Sequence, residues 1–211
     1  MKLYGFPPSP NTWKVRAVAA HLGAPLEFEF VDLTKGASHT PAYLALNPTG
    51  RTPVLVDGDF KLWESNAIIQ YLGSHKPTAL WPNDARARAD IMRWQSWQLA
   101  HWGKEACEPL TFQRLVKKIL NLGPPDEAIV ARGTEAFNRE ARVLDEHLSK
   151  QPYLVGKELT LADFSVAASL FYAKEAEMPL APYSRVQEWF GRVSSLPVWR
   201  ETAPAPAAAA A

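Results

Sequence analysis

Residues 47–68 read NPTGRTPVLVDGDFKLWESNAI, and this stretch determines how the first half of the chain folds. Two short apolar runs, Thr52 to Asp57 and Phe60 to Trp63, flank Asp57-Gly58-Asp59, a turn of the kind that closes a β-hairpin. The second run leads into a helical pattern from Ser65 to His75. The stretch therefore predicts a strand, a tight turn, a second strand and a helix.

The residues before this stretch complete an α/β domain. Short apolar runs alternate there with helical patterns, in the order strand Lys2 to Tyr4, helix Trp13 to Leu22, strand Leu26 to Val31 and a helical piece near Pro41 to Leu46. The first half therefore reads βαβαββα. Because the apolar residues of the helices recur at helical spacing, the helices are expected to pack on a sheet.

The second half carries helical patterns alone. They run from Asp84 to Glu108, Asp126 to Ser149, Thr160 to about Lys174, and Val186 to Ser195. Two prolines and an Asn-Asp pair mark the boundary that precedes them. We therefore expect an α/β domain at residues 1–77, an all-helical domain at 84–202, and a disordered or extended Ala/Pro-rich tail at 203–211.

Composition narrows the possible functions. The chain has 211 residues, and its 23 basic and 22 acidic side chains nearly cancel, so neither a nucleic acid nor an anionic membrane is expected as a partner. A single cysteine, Cys107, excludes an intramolecular disulfide and fits a reducing compartment. No run of about 18 apolar residues predicts a membrane span. We expect a cytoplasmic protein, and no spacing of His, Asp or Glu predicts a metal site.

The connector between the first strand and the first helix is rich in proline and small polar residues. It reads GFPPSPNTWKVR from Gly5 to Arg16. Ser9, Asn11 and Thr12 would bring polar donors to a helix N-terminus, a site that favours an anion. The alternative is that Asn11 or Thr12 only caps the helix.

Two other stretches suggest contacts to a ligand. Thr52-Pro53 begins a strand with a residue that cannot donate to the sheet, so the bond is either cis or a trans edge cap. Ser65, at the start of the last helix of this half, offers a carboxylate pocket, while Glu64 could accept a ligand ammonium. Alternatively, Ser65 only caps its own helix.

A fourth stretch, LTLADF at residues 159–164, has a structural role. Thr160 and Asp163 stand three residues apart at the head of an apolar helix, the spacing of a capping box.

Together the four stretches resemble the cytosolic glutathione transferase superfamily over nearly the whole chain, and especially bacterial members of the serine type or with a related Pro-Ser-Pro-Asn loop. The resemblance implies a thioredoxin-like N-terminal domain with a mixed four-stranded sheet, followed by an all-α domain.

The resemblance also implies that glutathione is the co-substrate. In such a protein the Thr52–Pro53 bond is cis, Thr52 pairs with the cysteinyl backbone of glutathione, and Glu64 and Ser65 hold its γ-glutamyl end. Ser38 or His39 approaches the glycine carboxylate. Arg51 and Lys35 are weaker candidates for that end of the tripeptide.

The resemblance gives the rigid connector a function. We expect Ser9 to donate a hydrogen bond to the thiolate of glutathione, which then attacks a hydrophobic electrophile. Because a serine hydroxyl does not ionise near neutral pH, Ser9 would act as a donor and not as a base. Asn11 is the rival contact, since some members with this loop are thought to use it and act on disulfides.

The family binds its electrophile in an apolar hollow between the domains and is dimeric. The plausible liners of that hollow are Trp13, Trp102, Phe112, Arg114 and Tyr172. An aromatic helix from Asp84 onward fits a homodimer interface. Three hypotheses remain open from the sequence: a glutathione transferase, a glutathione-dependent disulfide reductase using Asn11, and a non-catalytic ligand-binding protein.

Overall fold

The computed structural model describes residues 1–204 and separates the chain into two compact units. The first unit holds Met1–Trp81 together with residues 196–204, and the second holds Pro82–Ser195. The boundary near residue 81 lies within the proline-rich segment where the sequence analysis placed it. Most of the predicted tail, from residue 205 on, lies outside the described residues.

A four-stranded mixed sheet forms the centre of the first unit. Its strands are β1 (Lys2–Gly5), β2 (Glu27–Phe30), β3 (Val54–Asp57) and β4 (Phe60–Trp63). The strand order is β2-β1-β3-β4, with β1 parallel to β2 and antiparallel to β3, and β3 antiparallel to β4. This is the thioredoxin-like arrangement that the resemblance implied, so the predicted fold of this half is confirmed.

Three helices accompany the sheet: α1 (Pro10–His21), α2 (Pro41–Leu44) and α3 (Ser65–Ser74). Single turns of 3-10 helix precede α2, at Leu33–Lys35 and Ala37–His39. The helix α1 begins three residues before the predicted start at Trp13 because Pro10 occupies its first position, where a fixed φ favours the helix and the missing N–H costs nothing.

The second unit is all helical, as predicted. Its α-helices are α4 (Ala85–Trp97), α5 (Glu108–Thr111), α6 (Lys117–Ile119), α7 (Glu127–Leu148), α8 (Leu161–Ala168) and α9 (Ser184–Ser194). Wider π-helical turns fill Gln98–Cys107 and Phe112–Val116. The helix expected to reach about Lys174 ends at Ala168, because the next amide groups bond three residues back and tighten the chain into turns.

Asp163 organises the core of the second unit. Its carboxylate accepts hydrogen bonds from Leu154 N, Thr160 N, Thr160 Oγ1 and Trp189 Nε1, at 2.8 to 3.0 Å. The predicted capping box is present, and Asp163 has no exposed surface. Four donors offset the cost of burying the carboxylate and tie α8 to α9 and to the preceding loop.

The helix α10 (Pro197–Glu201) belongs to a different unit from the one predicted for it. The sequence analysis placed residues 196–202 in the helical domain, whereas the structure groups them with the first unit. Packing explains the difference: Trp199 is 4% exposed, its ring lies edge-on against that of Trp13, and its carbonyl accepts the Trp13 indole N–H. Within residues 1–204, every helix is too short or too polar to cross a lipid bilayer.

Candidate functional site

The register of the sheet brings three of the predicted ligand-contact segments of the first unit to one end of the sheet. Tyr4, Val54 and Trp63 are aligned across β1, β3 and β4. One residue beyond this row, β1 ends at Gly5, β3 begins after Pro53, and β4 gives way to Glu64. The Ser9 connector, the Thr52–Pro53 bond and the start of α3 therefore lie at the same end of the sheet.

Ser9 occupies the N-cap position of α1. Its carbonyl accepts the Trp13 amide at 3.0 Å, and its backbone has the extended conformation typical of this position. The half-buried hydroxyl makes no capping hydrogen bond to the first turn of the helix. The alternative in which Asn11 or Thr12 caps α1 is therefore wrong, and the Ser9 hydroxyl is not used in capping the helix.

Asn11 connects the two helix N-termini of the site. Its side chain is exposed at the start of α1, and its Oδ1 accepts a hydrogen bond of 3.2 Å from Ser65 Oγ at the start of α3. The amide oxygen is therefore engaged, and the Nδ2 group is the donor that Asn11 can offer to a ligand. The two N-termini, each with a positive dipole end and an N-cap side chain that does not cap it, are held together at this point.

Glu64 holds an unusual backbone conformation at the start of α3. Its φ is 73° and its ψ 110°, a region that residues other than glycine rarely adopt. The side chain is exposed and does not cap the helix, although Glu64 stands at the N-cap position. Ser65 follows with only 5% of its surface exposed. The first turn of α3 thus presents a carboxylate and uncapped amide groups side by side.

The loop before β3 is fixed by hydrogen bonds to one carbonyl. The Thr52–Pro53 bond is cis, as the resemblance implied. The carbonyl oxygen of Arg51 accepts from Tyr43 Oη at 2.8 Å and from Asn47 Nδ2 at 2.7 Å. Burial raises the pKa of Tyr43 to about 12, so its hydroxyl remains a donor near neutral pH. The backbone of Thr52 is therefore presented from a rigid loop.

Ser38 and His39 lie in the 3-10 turn that precedes α2. Ser38 is 3% exposed, whereas His39 is on the surface. The His39 ring lies against Gly50, where an added Cβ would stand 2.8 Å from it, and the positive φ of 65° at Gly50 also favours glycine. This contact places His39 beside the loop that carries Arg51. Lys35 is 83% exposed and lies 3.7 Å from Asp32.

Sequence analysis missed Lys14. This lysine has no exposed surface, and its Nζ donates a hydrogen bond of 2.6 Å to Oδ1 of Asn66, the second residue of α3. Burial lowers the pKa of Lys14 to about 7, against the opposing effect of the Glu64 carboxylate. The only signal in the sequence was a lysine between Trp13 and Val15, in a helix that proved to be covered on most sides.

The structure separates the predicted liners of the electrophile site into two groups. Trp13 and Trp102 have no exposed surface, and their indole N–H groups bond the carbonyls of Trp199 and Val166. The prediction that these two line a hollow is therefore corrected: each belongs to the core of its own unit. The members of the list with accessible surface are Phe112, Arg114 and Tyr172.

Two of these three residues are held by neighbours in the second unit. Arg114 donates through Nη1 to the carbonyls of Ala176 and Glu177, at 3.0 and 2.7 Å. Burial, with a smaller effect of Glu175, raises the pKa of Tyr172 to about 12, so its hydroxyl stays protonated. Phe112 is 44% exposed and remains open to an apolar ligand.

Comparison with known protein families assigns both parts of the chain. Residues 1–74 match the family "Glutathione S-transferase, N-terminal domain", and residues 106–197 match "Glutathione S-transferase, C-terminal domain". A curated relative, glutathione S-transferase 3 of Zea mays, is 38% identical over 210 residues and aligns with 96% of this chain and 92% of its own.

Solved structures agree with this assignment. Glutathione transferase F7 from Populus trichocarpa is 26% identical, with a TM-score of 0.87, covering 95% of this chain and 96% of its own. A glutathione S-transferase from Pseudomonas fluorescens is 32% identical, with a TM-score of 0.79, covering 93% and 96%. On the evidence of both halves, the chain belongs to the glutathione S-transferase family.

Proposed function

We propose that this chain is a glutathione S-transferase in which the first unit binds glutathione and stabilises its thiolate beside Ser9, and the thiolate attacks a hydrophobic electrophile so that the whole glutathionyl group is conjugated to it. The observation that carries the proposal is the meeting of two helix N-termini at the Asn11–Ser65 hydrogen bond, next to an N-cap hydroxyl that does not cap. This is a setting that favours anionic groups, and glutathione brings two carboxylates and a thiol.

The arrangement fits an extended tripeptide. Glu64 and Ser65 are proposed to hold the γ-glutamyl ammonium and carboxylate, and the Thr52 backbone, next to cis-Pro53, to pair with the cysteinyl residue. His39 and Ser38 are proposed to approach the glycine carboxylate. The His39–Gly50 contact supports this last assignment, because it brings His39 close to the loop that leads to Thr52. Arg51 and Lys35 are secondary candidates at that end.

The free energy required of Ser9 is modest. A free thiol has a pKa near ~8.5, and lowering it by about two units requires roughly 2.7 kcal/mol of selective thiolate stabilisation. One hydrogen bond to a charged group contributes about 1.5–3 kcal/mol, and a helix N-terminus adds about 0.3–1. Ser9 at the N-cap of α1 therefore offers stabilisation of the right size.

The test is to titrate the thiol of bound glutathione by its thiolate absorbance. The wild type should show a thiol pKa about one to two units below that of free glutathione, and Ser9→Ala should return it most of the way. An unchanged thiol pKa in Ser9→Ala would remove Ser9 from the mechanism. Glutathione binding with no thiol ionisation in the wild type would instead favour a non-catalytic ligand-binding protein.

The geometry of Asn11 supports a second candidate function, that of a glutathione-dependent disulfide reductase. Ser65 Oγ fixes the orientation of Asn11 and leaves its Nδ2 as a donor at an exposed position. Turnover of an aryl halide and of hydroxyethyl disulfide should be compared in the wild type, Ser9→Ala and Asn11→Ala. A dominant disulfide activity that is lost only in Asn11→Ala would establish the reductase.

We further propose a homodimeric, cytoplasmic enzyme of the serine type that removes toxic electrophiles and needs no metal. The exposed apolar side chains Met92 and Leu99, on α4 and the π-helical segment after it, support a subunit contact. Phe112, Arg114 and Tyr172 remain candidates for electrophile contacts. The similarity to the Pseudomonas fluorescens structure supports the resemblance to bacterial members. The Zea mays and Populus relatives show that the chain is also similar to plant members of the family. Light scattering at micromolar concentration tests the dimer.

A further inference from the structure

Lys14 is a buried lysine, a cation below its pKa of about 7, and the proposed reaction does not by itself explain its position. A lysine without exposed surface costs free energy unless it is paired with an opposite charge. Its ammonium bonds the neutral side chain of Asn66, and the Glu64 carboxylate attracts it without forming one of the close ion pairs seen among residues 1–204. A hydrogen bond to an amide oxygen offsets only part of this cost, so the fold retains a cation that packing alone would not favour.

The location of Lys14 links it to the ligand contacts. Lys14 lies three residues after Asn11 on α1, so the two side chains share a face of the helix. Their partners Asn66 and Ser65 are adjacent in the first turn of α3. Two polar bridges therefore fasten the same pair of helix N-termini, one at the surface and one beneath it.

The chemistry at the surface side of this pair is that of an anion site. Glu64 stands at the N-cap position of α3, and its side chain does not cap the positive end of this helix. When Lys14 is protonated, its positive charge beneath this turn adds to the field of the helix dipole and favours a carboxylate above it. The Asn66 side chain, 6% exposed, connects the cation to the turn.

We propose that Lys14 is a positioning residue for the γ-glutamyl carboxylate of glutathione: through Asn66 it fixes the first turn of α3, and its charge makes that turn a stronger carboxylate site. This inference rests on the proposed function, because it needs glutathione to bind with its γ-glutamyl end at Glu64 and Ser65. Lys14 acts through α3 and is assigned no contact with the sulfur.

The experiment uses two tripeptides and three full-length variants. Affinity is measured by calorimetry at pH 6, where Lys14 is protonated, for glutathione and for 4-aminobutyryl-cysteinylglycine, which lacks only the γ-glutamyl carboxylate. Lys14→Met removes the charge and the donor at similar length, and Lys14→Arg restores the charge. Lys76→Met is the matched control, because Lys76 is an exposed lysine of the same unit.

The expected result is selective for the carboxylate. Lys14→Met should weaken glutathione binding about tenfold, the effect of losing one charge-assisted interaction, and weaken binding of the truncated tripeptide less than twofold. Lys14→Arg should recover most of the loss, and Lys76→Met should bind both peptides as the wild type does. Turnover at saturating glutathione should fall less than threefold in Lys14→Met, because the loss is in binding.

Each contrary result has a distinct meaning. An equal loss for both tripeptides in Lys14→Met would show that Lys14 only maintains the fold, and unchanged glutathione affinity would show that it does not affect binding; either overturns the inference. If the wild type binds neither tripeptide, the proposed function itself fails. Circular dichroism and the thermal midpoint of each variant confirm that the affinities belong to folded protein.

Discussion

The indole N–H of Trp13 in α1 donates a hydrogen bond of 3.2 Å to the backbone carbonyl of Trp199 in α10, which follows it by 186 positions in the chain. The two rings also meet edge to face, and Trp13 and Trp199 are 0% and 4% exposed. The last helix of the chain thus completes the core of the unit that the first helix begins.

We therefore expect Trp199→Ala to destabilise the protein. Truncating a buried tryptophan typically costs about 3–5 kcal/mol, because a large apolar surface is lost and a cavity remains beside Trp13. The midpoint of guanidinium unfolding, followed by circular dichroism, measures the effect. Trp63→Ala is the control, since Trp63 is 39% exposed and its truncation should shift the midpoint much less. Equal shifts would contradict the assigned role of α10.

Asp163→Asn should destabilise the second unit by about 2–5 kcal/mol. The substitution keeps the shape of the side chain but turns one acceptor oxygen into a donor. That donor then faces either the amide and hydroxyl of Thr160 or the N–H groups of Leu154 and Trp189. At least one buried donor loses its partner. Urea unfolding monitored by tryptophan fluorescence measures the loss.

Asp126→Asn provides the comparison for Asp163→Asn. Asp126 caps α7 through the amides of Ala128 and Ile129 at an exposed position, and asparagine caps a helix about as well as aspartate. Its unfolding curve should therefore nearly coincide with that of the wild type. A loss at position 163 no larger than that at position 126 would show that the buried network does not hold the unit together.

Local signals in the sequence were enough to predict the sheet and most helices. The hairpin turn at Asp57-Gly58-Asp59, the boundary prolines and the capping box at Thr160 act over a few residues, so their consequences can be worked out from the chain alone. The family resemblance supplied the mixed four-stranded sheet and the cis bond, which local patterns left open.

Features set by distant packing escaped the prediction. The return of α10 to α1 depends on a contact between residues almost a whole chain apart, and the burial of Trp13, which was expected to line a site, follows from it. The burial of Lys14 was not predicted, because its partner, Asn66, lies on another helix. The burial and the contacts of such residues can be determined only when the neighbouring side chains in the folded protein are known.

Cys107 should react slowly with thiol reagents in the native protein. The side chain is 2% exposed, and burial raises the pKa of its thiol, so both access and the thiolate fraction are reduced. Labelling by a maleimide at pH 7.5 should be complete within minutes in guanidinium chloride and much slower without it. Cys107→Ala should retain the activity of the wild type. Rapid native labelling, or loss of activity in folded Cys107→Ala, would contradict this description.

The buried ammonium of Lys14 should also leave a signature in the pH dependence of stability. Its pKa is about 7 in the folded protein, whereas a fully solvated lysine, as in the unfolded chain, has a pKa of 10.5. Between these values the unfolded chain carries a proton that the folded protein has lost, so raising the pH favours folding. Below pH 7 both states are protonated, and Lys14 contributes no pH dependence.

Lys14→Met isolates this contribution. The difference in free energy of unfolding, wild type minus Lys14→Met, should be constant below about pH 6 and rise between pH 7 and 9.5, with a slope of up to about 1.4 kcal/mol per pH unit. Urea unfolding at half-unit intervals of pH measures it. Removing the exposed Lys76 in Lys76→Met should give a difference that does not change with pH. Parallel curves for the wild type and Lys14→Met would show that Lys14 keeps its proton in the folded protein throughout this range. That result would contradict the lowered pKa, because the neutral Asn66 amide that bonds Nζ does not supply the negative charge needed to hold the proton.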